Sequence, residues 1–400
     1  MLPLEGLRVV AVEQYGAGPY GTQFLADLGA EVIKIESPRD GGDVARSVGP
    51  FFLEGEDRTS ASLFFQAFNR NKRSLTLDLG RAEGRAVLRD LVRTADALCS
   101  NMRGDVPGKL GLTYETLGEV NPKLVCAHLT GYGRDGPRAK WPGYDYPMQA
   151  ETGYFTITGE PDTPPTRFGL SIVDMITGLG MAFALVSAVL DARDTGRGRD
   201  IDVTLFDFAL FNLSYLSAWY LNTGHVQGRE PRSAHPSLTP CALYRTGDGW
   251  IYLMCNKEKF WRVLCERIGR PELIDDPRLR TFRDRLANRP LVTELLDGAL
   301  STRTTAEWMG LLGGVVPCAP VLDVREALTN PFVTESHRIQ PLEGNDGVPF
   351  SLLASPVRCP GEEPPNRPGP RLGADTDDVL RSLCGYDDED ITALRREGVI

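Results

Sequence analysis

Histidine is scarce in this chain, four in 400 residues, and none stands at zinc-ligand spacing from another candidate ligand. The eight cysteines (Cys99, Cys126, Cys241, Cys255, Cys265, Cys318, Cys359 and Cys384) are scattered without a CxxC pair, so reduced thiols in a cytoplasmic chain are expected. Basic side chains are in deficit, 44 against 54 acidic ones. The resulting charge of −10 repels a polyanion, which excludes nucleic acid as an expected partner and requires any phosphate to be bound locally. Long apolar runs are also missing. The longest, Met175 to Leu190, falls short of the ~18–20 residues of a membrane span and contains two glycines, a threonine and a serine; a buried helix and no membrane association are expected. Residues 1–6 lack the basic start and apolar core of a secretory signal, so secretion is not expected.

What is present is ordinary globular composition, 42% hydrophobic and 24% charged. Because single cores stop growing near ~250–300 residues, a chain of this length predicts two domains. Strand and helix patterns alternate through the first half: Leu7 to Val12, a glycine turn, a helix through Phe24 to Leu28, and Glu31 to Ile35. A strand at Arg73 to Leu79, a helix at Glu83 to Thr94 and strands at Asp96 to Cys99 and Lys123 to Leu129 extend the series. The fold class is therefore α/β with a doubly wound, mainly parallel sheet. An apolar helix over Gly178 to Asp191 precedes a strand at Asp200 to Leu205 and a helix to about Leu221. The polar, glycine- and proline-rich stretch from Gly224 to Pro240 then opens a smaller α+β domain, placed at 225–330, with a strand at Trp250 to Met254 and a helix at Phe260 to Ile268. Residues 359–370 hold five prolines and predict an extended surface strap, followed by two short helices at Thr376 to Leu383 and Asp387 to Arg396.

Gly16-Ala17-Gly18-Pro19-Tyr20-Gly21 is a literal GxGxxG between a strand and a helix, with Glu36 where a ribose-binding acid would stand. Alone it suggests an NAD-dependent dehydrogenase. Pro19 removes an amide that would face a phosphate, and the same glycines suit a plain strand-to-helix turn.

Several segments together resemble the class III coenzyme A transferase family, which includes carnitine-dehydratase-like enzymes and 2-methylacyl-CoA racemases. They are Leu4 to Val10, Ala17-Gly18-Pro19, Leu28 to Glu36, Gly42 to Arg46, Asn69 to Leu75 with Leu77 to Leu79, Asn121 to Val125, Gly131-Tyr132-Gly133, Pro142 to Asp145, Thr195 to Gly198 and Leu372 to Thr376. The resemblance runs in order along nearly the whole chain. It implies a Rossmann-like large domain built from residues 1–224 and a returning C-terminal segment, 331–400, and an interlocked homodimer. It also implies that the glycine turn serves coenzyme A rather than NAD.

The family's catalytic aspartate falls on Asp174, at the threshold of the long apolar helix. From the residues alone, Asp174 reads as a helix N-cap, and a helix N-terminus favours an ionised carboxylate, so both uses suit the position. By the resemblance, coenzyme A meets Gly16 and Ala17, the segment Leu77 to Gly80, Asn101, Met102 and Arg103, and Gly143, Tyr144 and Asp145. Many relatives carry an arginine after Glu36 where this chain has Ser37; Arg39 or Lys72 is the expected substitute. The substrates implied are an acyl-CoA, such as succinyl-CoA or another dicarboxylyl-CoA, and a small carboxylic acid. No metal or permanently bound cofactor is required. The racemase alternative needs a histidine where Tyr144 stands, and tyrosine's ordinary pKa near ~10 suits α-proton exchange poorly. No glycine run follows Gly224, so formyl or oxalate exchange through a glycine-rich cover is not supported. Asp145 is open between a turn role and a contact to the thioester. His128 and His337 read as structural or surface residues, and His235 as a linker residue near the active-site entrance.

Overall fold

Arg8–Val12 forms strand β1, whose residues after Arg8 are buried on both faces as a central parallel strand requires. Helix α1 (Ala17–Asp27) returns the chain to β2 (Glu31–Glu36), parallel to β1 with Val10 opposite Ile33. The computed structural model, which describes residues 1–400, continues through α2 (Leu63–Asn69), β3 (Arg73–Thr76), α3 (Ala82–Val92), β4 (Ala97–Ser100), α4 (Val106–Leu110), α5 (Tyr114–Leu117) and β5 (Val125–Thr130). After α6 (Asp145–Glu151) and the short α7 (Tyr154–Ile157) come the long helix α8 (Ile172–Thr195), β6 (Arg199–Thr204) and α9 (Leu205–Phe211). The sheet order is β3-β2-β1-β4-β5-β6, every pair parallel. Strand order reverses between β1 and β4. In doubly wound sheets ligands bind beyond the carboxyl ends of the strands at such a switch point.

Glycine lets α1 and α8 cross at backbone contact. A Cβ on Gly21 would lie 2.3 Å from the Gly178 carbonyl oxygen, and one on Gly178 would lie 2.2 Å from that of Ala17. The start of α1 is thereby set against the start of α8. The inner face of α8 is buried through Val173, Thr177, Met181, Leu185 and Val189, yet Phe183 and Leu190 are exposed, so the expected fully buried helix is buried on one side only. It is long and apolar enough to cross a membrane by length and composition, with half of its apolar window buried inside the protein. The expected helix to Leu221 is interrupted: Ser214 adopts φ 49, separating α9 from a second helix at Tyr215–Thr223. The strand expected to reach Leu79 ends at Thr76, because residues 77–80 turn over the sheet end and Asp78 donates its N–H to the Val399 carbonyl.

The chain divides into two compact units. The first comprises Met1–Thr152, Gly169–Ser214 and Glu335–Ile400; the second comprises Gly153–Phe168 and Tyr215–Thr334. These extents differ from 225–330 in beginning ten residues earlier and in taking up Gly153–Phe168, whose Phe155, Glu160 and Thr163 carbonyls accept from the Arg229 guanidinium. Within the second unit, strands Cys241–Arg245, Trp250–Met254 and Cys318–Pro320 form an antiparallel sheet packed on helices through Tyr244, Leu253, Trp261, Leu296 and Trp308. Within the first unit, the C-terminal segment contributes a hairpin, Ile339–Glu343 with Pro349–Leu353, and ties itself to β3: Gly373 donates to Ser74 Oγ, and Ser74 donates its N–H to Asp375. The proline strap has no regular structure; Gly369 and Arg367 donate their N–H groups to Gln66 and Asn71.

Candidate active site

Asp174 is the third residue of α8, whose N-cap is Ser171, so Asp174 is not the cap itself. Its own N–H donates to Asp145 Oδ2 at 2.9 Å, and Asp145, the first residue of α6, is fixed by Gln149, whose Nε2 donates to Asp145 Oδ1 at 2.6 Å. Asp145 is therefore buried beside Asp174 and is more than a turn residue after Gly143. A helix start favours the anion, but burial first and the neighbouring Asp145 charge second raise the Asp174 pKa to about 7. At neutral pH this carboxylate is poised between its two forms.

The glycine turn faces that carboxylate. A Cβ on Gly16 would lie 2.8 Å from Asp174 Oδ2, and one on Gly18 would lie 2.9 Å from Asn101 Cγ. Gly16, Gly18 and Gly21 all have negative φ; the left-handed residue of the turn is Tyr15, at φ 68. The turn conformation thus does not require these glycines, which instead permit close approach to Asp174, Asn101 and α8. Asn101, at the end of β4, clamps the end of β1: Gln14 N–H donates to its Oδ1 at 2.9 Å and its Nδ2 donates to the Gln14 carbonyl at 2.7 Å.

Two clefts meet there. One, of about 610 Å³, is lined by Gly16, Ala17, Asn101, Met102, Arg103, Gly143, Tyr144 and Asp174. The other, of about 890 Å³, is lined by Arg39, Arg58, Leu77, Asp78, Gly80 and the loop 39–44. They share Gln14, Val44, Asn101 and Met102. On the far side of Tyr15 a third, smaller cavity of about 200 Å³, lined by Tyr20, Phe64, Phe68, Tyr146, Leu170 and Met175, shares Tyr15, Gly16 and Asp174 with the first cleft. The carboxylate therefore stands between a long open channel and a small aromatic chamber.

Most of the residues expected to meet coenzyme A line these clefts; Asp145, buried beside Asp174, and Lys72 do not. The Lys72 ammonium is fully buried and donates to Glu13 Oε1, the Pro19 carbonyl and Asn69 Oδ1 at 2.7, 2.9 and 3.1 Å, and burial lowers its pKa to about 8. Arg39, which pairs with Asp78, Arg46, which is engaged with Glu36, and Arg58 are the cations that line the cleft beside Ser37. Arg58 and Tyr15 had no signal in the sequence, since neither lies in a recognisable motif. Glu36 is not available to a ribose: Oε1 accepts from Arg46 Nη2 and Ser74 Oγ, and Oε2 from Arg46 Nε and the Asp43 N–H, which fills its acceptor sites. His128 is buried and bridges Ser100 and Asp200, a contact between strands. His235 lies in the second unit, where its Nδ1 accepts from the Ser237 N–H.

Fold and site together define a Rossmann-like α/β protein that holds a buried carboxylate at the sheet's switch point, between a nucleotide-sized channel and a small chamber. Residues 4–376 match the model of CoA-transferase family III, and the chain belongs to that family and is a CoA-transferase. Among its relatives, a succinate–glutarate CoA-transferase of Agrobacterium fabrum is 36% identical over 95% of this chain and 96% of its own. An acetyl-CoA:oxalate CoA-transferase of Acetobacter aceti is 36% identical over 92% and 93%. The crystal structure of a CAIB/BAIF family protein from Brucella suis superposes with a TM-score of 0.81 at 33% identity, covering 96% of this chain and 99% of that one.

Proposed function

We propose that the enzyme moves coenzyme A from a dicarboxylyl-CoA, such as succinyl-CoA, to a second carboxylic acid, with Asp174 as the nucleophile. The placement of Asp174 between the channel and the small chamber carries this reading. Coenzyme A lies along the two joined clefts, its phosphates near Arg39 and Arg58, and the acyl group enters the aromatic chamber. The Asp174 carboxylate attacks the thioester carbonyl, forming an acyl-aspartyl anhydride and expelling the thiolate. The thiolate attacks the aspartyl carbonyl, releasing the first acid and leaving aspartyl-CoA. The second acid then attacks this thioester, and the returning thiolate takes its acyl group and frees Asp174. Charge passes between oxygen and sulfur at each step, and no proton has to be moved. The first amides of α1, which have no partner within the helix, supply donors beside Gly16 for the developing oxyanion. Ionised Asp174 is disfavoured by burial and by Asp145, and acylation relieves both.

The dicarboxylate preference follows the relatives, whose names carry glutarate, oxalate, mesaconate and malate. A homodimer is part of the same proposal, supported by the exposed Phe183 and Leu190 on α8 and Phe211 on α9. Trapping tests the mechanism: hydroxylamine or borohydride added with a productive acyl-CoA inactivates the enzyme and marks Asp174 in peptide maps. A mark elsewhere, or none, overturns it. Light scattering at low micromolar concentration tests the dimer, which gives twice the monomer mass.

A further inference from the structure

Beneath the turn that faces Asp174 lies a set of buried charges that the proposed chemistry does not use. Lys34, fully buried on β2, places its ammonium 2.8 Å from Asp43 Oδ2 and donates to the Glu13 carbonyl at 3.0 Å. Lys72 holds the Glu13 carboxylate from the other side, and Thr22 Oγ1 donates to the same carboxylate. The remaining Asp43 oxygen, Oδ1, accepts from the N–H groups of Tyr15 and Ala45 at 2.9 and 2.8 Å. Asp43 therefore has two attachments. It belongs to the loop 39–44 that lines the larger cleft, and it holds the backbone of Tyr15.

Tyr15 is the left-handed residue of the turn, a conformation that a non-glycine residue keeps only where its surroundings impose it. The next residue, Gly16, is the wall against which Asp174 Oδ2 rests. One carboxylate thus connects the loop at the nucleotide end to the wall at the reacting end. Its pairing with Lys34 in a buried setting makes that connection stiff, since a charge-assisted link without solvent has no competing water to exchange with. Remote binding energy raises a chemical rate only when something transmits it to the reacting atoms.

We propose that Asp43 is a positioning residue that transmits occupation of the nucleotide cleft to the placement of Tyr15 and Gly16 against Asp174. This rests on the reading of the clefts and of Asp174 given above. Steady-state kinetics with an acyl-CoA and with the same acyl group on pantetheine test it. The native enzyme has a higher kcat with the full thioester. In Asp43→Asn about tenfold of that kcat advantage disappears, while kcat with the pantetheine thioester changes by less than about threefold and free CoA still raises the melting temperature. A merely structural role slows both donors alike. Because Asp43→Asn leaves the Lys34 charge buried without its partner, the double variant Lys34→Met/Asp43→Asn carries the same expectation with both charges removed. An undiminished advantage in the folded variants, or equal kcat for the two donors in the native enzyme, overturns the coupling alone. Absence of exchange by the native enzyme with any donor overturns the transferase reading, and the coupling with it.

Discussion

Two groups of buried carboxylates lie in the first unit, and their neighbours treat them in opposite ways. Glu13, Glu36 and Asp43 face Lys72, Arg46 and Lys34. Burial alone would raise the pKa of Glu36 and Asp43, but those cations and the surrounding N–H groups outweigh it and hold both below the usual carboxylate range. Asp174 has another acid, Asp145, as its charged neighbour, and burial is reinforced rather than opposed. A buried carboxylate is held ionised in one place and pushed towards its protonated form in the other by the charges that stand beside it.

The contrast breaks most severely at Asp174. Asp174→Asn lowers CoA exchange by about a thousandfold or more, measured by mass spectrometry of the new thioester. The same variant is expected to melt above the native protein at pH 8. A folded-state pKa of about 7 against an ordinary 3.8 gives stability that is complete below the lower value and lost as pH rises through the higher one. The upper bound is on the order of 4 kcal/mol. Calorimetry at pH 4, 6 and 8 checks this, and identical melting at all three refutes the raised pKa. On the paired side, Lys72→Met strands Glu13 and costs about 3–5 kcal/mol in urea unfolding, part of which Glu13→Gln restores in the double variant.

The geometry that joins the two groups can be loosened separately. Gly178→Ala puts a methyl 2.2 Å from the Ala17 carbonyl, and the helices must part. An overpacking cost of about 1–3 kcal/mol is expected, together with a fall of about tenfold in kcat and little change in KM for the donor. The mildest change is Asp145→Asn, which keeps an acceptor for the Asp174 N–H and removes the like charge. The acid limb of the kcat profile then moves to lower pH by less than about one unit, because burial is the larger cause of the shift.

The parallel sheet was legible in the sequence because its central strands are short and mostly apolar, Val9 to Val12 without interruption and Val32 to Ile35 broken only by Lys34, and are separated by helical patterns. Asp174 was singled out by family resemblance and by its place at the start of an apolar stretch. The environment of Asp174 was not legible. Its partner Asp145 lies 29 residues away and reaches it only after α6 and α8 have packed. Lys72, between Arg70 and Arg73, was expected as an adenosine-side cation; only the fold shows that it stands just before β3 with its ammonium buried beneath the turn. The glycines suggested a phosphate-binding turn because their spacing says nothing about what approaches them, and here a carboxylate, an asparagine and another helix do. A left-handed tyrosine leaves no mark on composition or periodicity.

The ties between β3 and the C-terminal segment also set an order of events. Ser74 and Thr76 find their partners in Gly373, Asp375 and Thr376, about 300 residues later in the chain. At ~5–20 residues per second on a ribosome, that interval is roughly 15–60 s. Throughout it the β3 edge of the sheet waits uncovered, which is a template for pairing with another nascent chain. The second unit, whose main segment ends at Thr334, is fully synthesised before the first one can close.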